Sequence, residues 1–338
     1  MKNAAINEIL TEKGFLLADG ATGTNLFMRG LETGYPPELW NVERPDDIQG
    51  LHALFFDSGS DLVLTNSFGG NALRLKLHDA QDRVTELNLA AARLARKVAA
   101  TATDRQRRPL LVAGSMGPTG ELFEPMGALT HTSTRDIFAA QANALAEGGA
   151  DMLWIETMSS TEEIASALEA AKTTGLPVAA TMTFDTAARS MMGVLPQDFA
   201  VFGAANKADF LGANCGIGPA ELLHSISGMA QAHIDTPLIA KGNCGIPSYV
   251  DGAIHYHGTP ALMADYALFA RDMGVRIIGG CCGTSPDHVA AMSQALAQTP
   301  VRPFDEAAMQ QALGQPWANI PENPGAEGRR KSRRSRRK

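Results

Sequence analysis

Eight short apolar runs alternate with amphipathic segments along this chain of 338 residues, and their number constrains the fold more than any other feature. Each run ends in polar or glycine residues, as expected where a strand gives way to a loop. A doubly wound open sheet has the same local alternation, but eight repeats predict a (β/α)8 TIM barrel. The predicted strands are Phe15–Ala18, Asp61–Thr65, Pro109–Ala113, Met152–Glu156, Val178–Thr183, Phe210–Ala213, Leu238–Lys241 and Arg276–Ile278.

Between these strands, apolar residues recur at helical spacing. The clearest predicted helices are Asp46–Phe56, Val84–Ala99, Thr134–Ala146, Thr161–Thr173, Pro219–Met229 and Pro260–Met273. The length suits a single barrel domain, which we expect at residues 1–305. A Pro-rich polar appendage at residues 306–327 and a disordered basic tail at residues 328–338 are expected to follow.

The charge is unevenly distributed. Residues 329–338 contain eight of the 29 Lys and Arg residues, yet the chain has a net charge of −7, so the body is acidic. An acidic body argues against nucleic acid as the main substrate. No apolar run approaches a membrane span, and residues 1–13 lack a signal-peptide core, so we expect a cytoplasmic protein with reduced thiols.

Polar and thiol side chains follow several of the predicted strands directly. In a barrel, the carboxyl ends of all strands meet at one face, which is where active sites of this fold lie. Two connections, from Gly114 to His131 and from Lys241 to His257, are longer than a barrel needs and are expected to contact substrate or act as lids. The residues at strand ends are Asp19, Gly20, Asn66, Glu156, Asn214, Cys215, Cys281 and Cys282.

Three of the four cysteines lie beside glycines: Cys215 in Asn-Cys-Gly, and the adjacent pair Cys281 and Cys282 in Gly-Gly-Cys-Cys-Gly. The spacing differs from that of a zinc knuckle, so the ligands would come from distant segments. Three protein ligands leave a fourth zinc position open, which is typical of a catalytic site. The alternative is that these are small buried thiols without a metal.

Zinc held by three thiolates is a poor activator of water, because the ligands give the site a net negative charge. It is better suited to holding a fourth thiolate, which predicts alkylation of a small thiol. Adjacent cysteines reach one ion only if the backbone leaves strand geometry, and Gly279, Gly280 and Gly283 permit that.

A thiol substrate with amino and carboxylate groups needs two further contacts. Backbone N–H groups of the loop that begins at Asp19 and Gly20 are candidates for the substrate carboxylate, and Glu156 is a candidate for its ammonium. Alternatively, the loop is only a tight strand-to-helix turn, and Glu156 is a structural carboxylate.

At this point the sequence resembles the zinc-dependent homocysteine S-methyltransferases, which include betaine-homocysteine methyltransferase and the homocysteine-binding module of cobalamin-dependent methionine synthase. The resemblance extends from about residue 15 to residue 298. Its most specific part is the double cysteine together with the Asn-Cys motif. The matching segments are Leu17–Thr24, Thr65–Phe68, Gly117–Gly120, Ile155–Thr157, Gly212–Cys215 and Gly279–Thr284.

The resemblance implies a (β/α)8 barrel that forms L-methionine, in which a zinc-bound homocysteine thiolate attacks a methyl donor. One Zn²⁺ would be held by Cys215, Cys281 and Cys282, which with Glu156 form the implied catalytic set. The implied contacts of L-homocysteine are Asp19, Gly20 and Glu156, with Asn66 and Asn214 as weaker candidates. Cys244 has no counterpart in the motif and is interpreted as a spare or core thiol.

The identity of the methyl donor depends on the loops that follow the barrel strands. Betaine enzymes resemble one another in having tyrosines after the second strand and after the fourth-strand Glu, where this chain has Phe68 and Thr157. The segments Gly117–Leu122 and Ile155–Thr157 look more like the methionine synthase module. This resemblance favours methylcobalamin carried by a separate corrinoid protein, with betaine and S-methylmethionine as alternatives. Two other classes stay open: a non-catalytic regulatory protein that binds homocysteine or zinc, and an unrelated barrel enzyme, such as a lyase, with inert cysteines. The sequence does not define the oligomeric state.

Overall fold

The computed structural model describes residues 4–245, 247–250 and 253–317. Eight parallel strands form one sheet in the order β1-β10-β7-β6-β5-β4-β3-β2. A parallel bridge between Ala18 and Leu62 joins the two ends, so the sheet closes into a (β/α)8 barrel and confirms the predicted fold. The barrel strands are β1 Leu16–Leu17, β2 Leu62–Leu64, β3 Leu111–Met116, β4 Met152–Met158, β5 Val178–Met182, β6 Phe210–Cys215, β7 Leu238–Gly242 and β10 Ile277–Gly280.

Eight helices surround the barrel, and each follows one of its strands. Several begin at a recognisable cap: Thr130 forms a capping box with Ser133, and Ser160 and Thr259 accept from the first turn of their helices. All six predicted helices are confirmed. The surrounding helices are α4 Pro45–Asp57, α6 Val84–Gln106, α7 His131–Glu147, α8 Thr161–Lys172, α9 Pro196–Ala205, α10 Pro219–Ala230, α11 Pro260–Asp272 and α12 Pro286–Gln298.

The remaining helices are short or lie outside the ring. They are α1 Ala4–Lys13, α2 Thr22–Phe27, α3 Trp40–Glu43, α5 Ala72–Lys76 and α13 Glu306–Leu313, with 3₁₀ turns at Pro37–Leu39 and Gln81–Arg83. Helix α1 is the one with a clear consequence for the site. Its buried Ile6, Ile9 and Leu10 belong to the same apolar cluster as Leu16 and Trp154 inside the barrel. The amino-terminal end of the barrel is therefore covered.

The two long connections differ from one another. Because β3 runs to Met116, the first is an irregular loop from Gly117 to Thr130. The second contains an antiparallel hairpin, β8 Pro247–Val250 and β9 Ala253–Tyr256, in which Pro247 pairs with Tyr256. The sequence indicated a long loop here but not a hairpin.

Beyond residue 305, α13 packs against α10 and α11, with Met309 buried in the main core cluster. The domain boundaries at 305 and 327 stay predictions, and the predicted basic tail at 328–338 lies outside the described residues. Among the described helices, none combines the length and apolar character that crossing a bilayer requires.

Candidate active site

Three cysteine thiols converge at the carboxyl end of the barrel. Cys215 is the last residue of β6, and Cys281 and Cys282 directly follow β10. The three Sγ atoms all lie within 4.8 Å of one another, and Sγ of Cys215 and Cys282 are 3.9 Å apart. Each residue is partly exposed and none forms a disulfide. The structure thus brings together the three predicted metal ligands from two distant segments.

The spacing of these sulfur atoms fits zinc. Zn–S bonds of about 2.3 Å in a tetrahedron place neighbouring sulfurs roughly 3.8 Å apart, close to the separation of Cys215 and Cys282. Without a cation the thiols resist ionisation. The hydrogen bond to Cys215, together with burial, raises the pKa of Cys281 to about 12. A soft divalent cation would stabilise the thiolates, so the donor set suits zinc.

The backbone leaves strand geometry at both halves of the cluster. Cys215 has φ of 62°, a left-handed conformation that is uncommon outside glycine, and Gly283 has φ of 79°. A Cβ on Gly280 would overlap the Thr284 side chain, and one on Gly283 would overlap the Tyr256 ring. The predicted need for glycine around the cysteine pair is therefore met at Gly280 and Gly283.

Strand β7 contributes no cysteine to the cluster but supports it. The Cys281 N–H donates to the Gly242 carbonyl at 2.6 Å, and the Cys282 N–H donates to Asn243 Oδ1 at 3.0 Å. Asn243 Nδ2 donates to the Gly216 carbonyl at 2.6 Å, directly after Cys215. Sequence reasoning missed Asn243, although its place just past a predicted strand end was a usable signal.

Cys244 lies next to the cluster without joining it. Its Sγ donates to the Gly258 carbonyl at 3.2 Å, and its N–H donates to the Cys282 carbonyl at 2.9 Å. The residue is fully buried, and this burial raises the pKa of its thiol to about 11. These contacts agree with the interpretation of Cys244 as a core thiol.

Glu156 faces the same cavity as the cysteines. The register of β4 against β5 shifts between Ile155 and Met158, and Thr157 has φ of 59°, so this strand is bent at the carboxylate. Ser115 Oγ donates to Glu156 Oε1. Burial raises the pKa of Glu156, while Lys241 and the Ser115 hydrogen bond oppose that rise.

The two predicted asparagines are held by the protein itself. Asn214 Oδ1 accepts from the Thr157 N–H at 2.8 Å and from Thr181 Oγ1 at 2.7 Å, so this side chain supports the bend after Glu156. Asn66 Nδ2 donates to the Pro37 carbonyl at 2.7 Å, and Asn66 also lines the cavity.

Asp19 is fully buried and lies outside the set of residues that line the cavity, whereas its neighbour Gly20 belongs to that set. Asp19 Oδ2 accepts from the Leu64 N–H at 2.8 Å, and Oδ1 lies 3.2 Å from Lys241 Nζ. Burial raises the pKa of Asp19, opposed by Lys241. Sequence reasoning did not assign Lys241 to the site, although a lysine at the carboxyl end of a predicted strand was visible.

One cavity of about 620 Å³ joins these groups. Its floor includes Gly20, Glu156 and the three cysteines. Farther out it is lined by aromatic and basic side chains, namely Phe27, Tyr35, Phe68, Arg74 and His78. A small thiol fits beside the cysteines, and space is left above it for a second reactant.

The family model that describes homocysteine S-methyltransferases matches residues 16–296 of this chain. Together with the barrel and its three convergent cysteines, this shows that the chain belongs to the homocysteine S-methyltransferase family, a class of methyltransferases.

Particular relatives agree with that class. Methionine synthase of Mycobacterium leprae is 31% identical over 306 residues, which cover 84% of this chain and 24% of that protein. Methionine synthase of Mycobacterium tuberculosis is 29% identical over 337 residues, covering 93% of this chain and 27% of that protein. The chain thus spans about a quarter of the length of these relatives.

Two crystal structures of the homocysteine methyltransferase MmuM from Escherichia coli share the fold. The metallated form has a TM-score of 0.70 at 24% identity, and the oxidised form has a TM-score of 0.71 at 25% identity. Each alignment covers 86% of this chain and 99% of MmuM.

Proposed function

We propose that this chain is a zinc-dependent homocysteine S-methyltransferase that forms L-methionine. The observation that supports this most is the convergence of three cysteine sulfurs within 4.8 Å of one another on a cavity that also contains Glu156. Among the described residues, the cluster consists of three thiols and no further His, Asp or Glu, which suits a site whose last position is taken by substrate. The proposed chemistry requires reduced thiols, which fits a cytoplasmic setting.

The residues of the chain have separate tasks in this proposal. Cys215, Cys281 and Cys282 hold the ion, and bound zinc supplies the positive charge that keeps the thiol of homocysteine deprotonated at neutral pH. Glu156 accepts the substrate ammonium through a charge-assisted hydrogen bond. Gly20 and its loop receive the substrate carboxylate. Fixing the two charged groups on the α-carbon of the amino acid holds its sulfur beside the three cysteines, below the outer part of the cavity.

For the donor, we propose a methyl-corrinoid that is presented by another domain or polypeptide. The similarity to mycobacterial methionine synthases supports this choice. The cavity mouth supports it as well, because Phe27 is 48% exposed, Phe68 is 37% exposed and the neighbouring Met28 is 88% exposed. Exposed apolar side chains at a mouth favour a large donor that covers them on docking.

The test is methionine formation from homocysteine with methylcobalamin, betaine and S-methylmethionine assayed in parallel, each with and without a corrinoid protein. Activity that needs the methyl-corrinoid is expected. Activity with betaine or S-methylmethionine alone would contradict the proposed donor and leave the enzyme class intact. Homocysteine binding without methionine formation from any donor would instead favour a regulatory protein.

Metal dependence is tested separately with a matched pair of variants. Cys281→Ala is expected to lose both bound zinc and activity, because it removes one of three ligands. Cys244→Ala removes a buried thiol outside the cluster and is expected to keep about one zinc per chain. A chain that methylates homocysteine after complete zinc removal would contradict the proposed function.

A further inference from the structure

Lys241 is a buried cation between the two halves of the site. It is the penultimate residue of β7, pairs with Asn214 of β6 and Gly279 of β10, and is only 3% exposed. Lys and Arg are rarely buried without a partner, since a charge taken out of water requires compensation. Among the described residues, Arg271 is the other buried Lys or Arg, and it lies on α11, away from the cavity.

The contacts of the Lys241 ammonium come from three places. Nζ donates to the Gly20 carbonyl at 3.0 Å and to the Gly280 carbonyl, and it lies 3.2 Å from Asp19 Oδ1. The two carbonyls use two of the three ammonium N–H donors, whereas Asp19 Oδ1 accepts no hydrogen bond and forms an ion pair with Nζ. Lys241 also lines the cavity, but its ammonium is held by these two carbonyls and by the Asp19 carboxylate.

Two of these contacts connect chain segments with different tasks. Gly20 belongs to the loop proposed to receive the homocysteine carboxylate, and Gly280 directly precedes the metal ligand Cys281. Asp19, which is buried below the cavity, is the counter-ion. We propose that Lys241, held by Asp19, is a positioning residue that ties the substrate loop after β1 to the cysteine pair after β10. Asp19 then acts on homocysteine through Lys241.

This arrangement also has an electrostatic effect. Three thiolates around Zn²⁺ leave one net negative charge, and a homocysteine thiolate adds another. Lys241 places a fixed positive charge behind the cysteine pair, which favours the loading of a further anion. The inference rests on the proposed homocysteine site. Its test must therefore distinguish a failure of the Lys241 role from a failure of the proposed function.

The experiment is a double-mutant cycle of homocysteine binding without any methyl donor. Wild type, Lys241→Met, Asp19→Asn and the double variant are loaded with Co²⁺, whose thiolate absorption reports the ligands of the metal, and are titrated with L-homocysteine. Lys241→Met is expected to weaken binding about tenfold or more. It is also expected to alter the Co²⁺ spectrum before homocysteine is added, because the Gly280 carbonyl directly before Cys281 loses its hydrogen bond to Lys241. In the Asp19→Asn background, Lys241→Met is expected to weaken homocysteine binding little further.

Several outcomes would overturn the inference. Equal effects of Lys241→Met in both backgrounds would mean that Lys241 does not act with Asp19, and an unchanged dissociation constant would mean that it does not act on the site. Lys241→Gln, which keeps an N–H donor, is the second variant if Lys241→Met does not fold. Loss of folding in both would assign Lys241 to barrel stability instead.

The control is Arg271→Met. It removes a buried cation that bonds the Thr299 and Pro300 carbonyls, far from the cavity, and is expected to leave homocysteine binding unchanged in the folded protein. If wild type itself does not bind homocysteine, the proposed function fails rather than the role of Lys241.

Discussion

Asn243 Oδ1 accepts the backbone N–H of Cys282 at 3.0 Å, and Nδ2 of the same side chain donates to the carbonyl that follows Cys215 at 2.6 Å. A single amide therefore spans both halves of the cysteine cluster. In metal sites, such supporting hydrogen bonds fix the ligand atoms before the ion arrives, and losing them typically lowers affinity 10- to 100-fold.

Asn243→Ala is accordingly expected to weaken zinc binding by about 10- to 100-fold, because the Cys282 N–H and the Gly216 carbonyl both lose a partner. Competition with a chelator of known affinity measures this. Asn206→Ala provides the matched control, since Asn206 follows α9 and bonds the Phe202 carbonyl of its own helix at 2.9 Å. Equal zinc affinities for wild type and Asn243→Ala would exclude this supporting role.

Gly283→Ala should lower zinc content and activity together. Gly283 has φ of 79°, and an added Cβ would overlap the Tyr256 ring, so the loop bearing Cys282 has to move. Gly274→Ala shares the left-handed backbone, with φ of 85°, but its Cβ would meet nothing within 4 Å. That control is expected to cost only about 1 kcal/mol of unfolding free energy and to retain zinc. Metal analysis and thermal unfolding of the two variants distinguish the overlap with Tyr256, which only Gly283→Ala has, from the backbone strain that both variants share.

Glu156→Gln is expected to raise KM for homocysteine about 10- to 100-fold at neutral pH, because the substrate ammonium loses a charged acceptor. Since burial raises the pKa of Glu156, its carboxylate is protonated at a higher pH than an ordinary glutamate. The ratio of the variant KM to the wild-type KM should therefore shrink toward one as pH falls. In this ratio, the effects on KM of other titrating groups, which are present in both proteins, cancel.

The control for that measurement is Glu163→Gln. Burial raises the pKa of Glu163 too, but its carboxylate accepts from the Thr119 N–H and hydroxyl and does not line the cavity. Its KM for homocysteine should match wild type. A KM ratio for Glu156→Gln that stays constant with pH would argue against ammonium binding by Glu156.

His52 makes the fold sensitive to acid. It is buried on α4, neither ring nitrogen has a hydrogen-bond partner, and burial lowers the pKa of His52 to about 4. The unfolded chain binds this proton below about pH 6.5, whereas the folded chain does so only near pH 4, so stability falls as the pH drops through that window. The free energy of unfolding of His52→Leu should therefore fall by about 3 kcal/mol less than that of wild type between pH 7 and pH 4. Denaturant unfolding of both proteins at pH 7 and pH 4 measures this difference. An identical pH dependence of the unfolding free energy in the two proteins would contradict the prediction.

The strands and the convergence of the cysteines could be predicted because both follow from periodicity and from the meeting of strand ends in a barrel. Helix α1 could not, since its amphipathic pattern does not say that it covers the barrel interior. The hairpin of β8 and β9 was hidden because glycine and proline are equally typical of an irregular loop. The roles of Asn214 and Lys241 depend on which acceptors surround them, and those come from residues far along the chain.

Asp19 is a further residue whose surroundings could not be predicted from the sequence. Its place after the first strand indicated a substrate contact, but the direction of its carboxylate depends on Lys241, more than 200 residues later. A family motif identifies the residue and its strand. Only the assembled barrel identifies its neighbours.

The covering of the barrel by α1 has a kinetic consequence. With Ile6, Ile9 and Leu10 packed into the amino-terminal end, the site is a chamber with its mouth at the carboxyl end, and both reactants pass through that mouth. Under the proposed function, the amino acid would occupy the floor and the donor would occupy the space above it. In the proposed reaction the donor would therefore block the path of the amino acid, so homocysteine would have to enter before the donor, and methionine would leave only after the demethylated donor has gone.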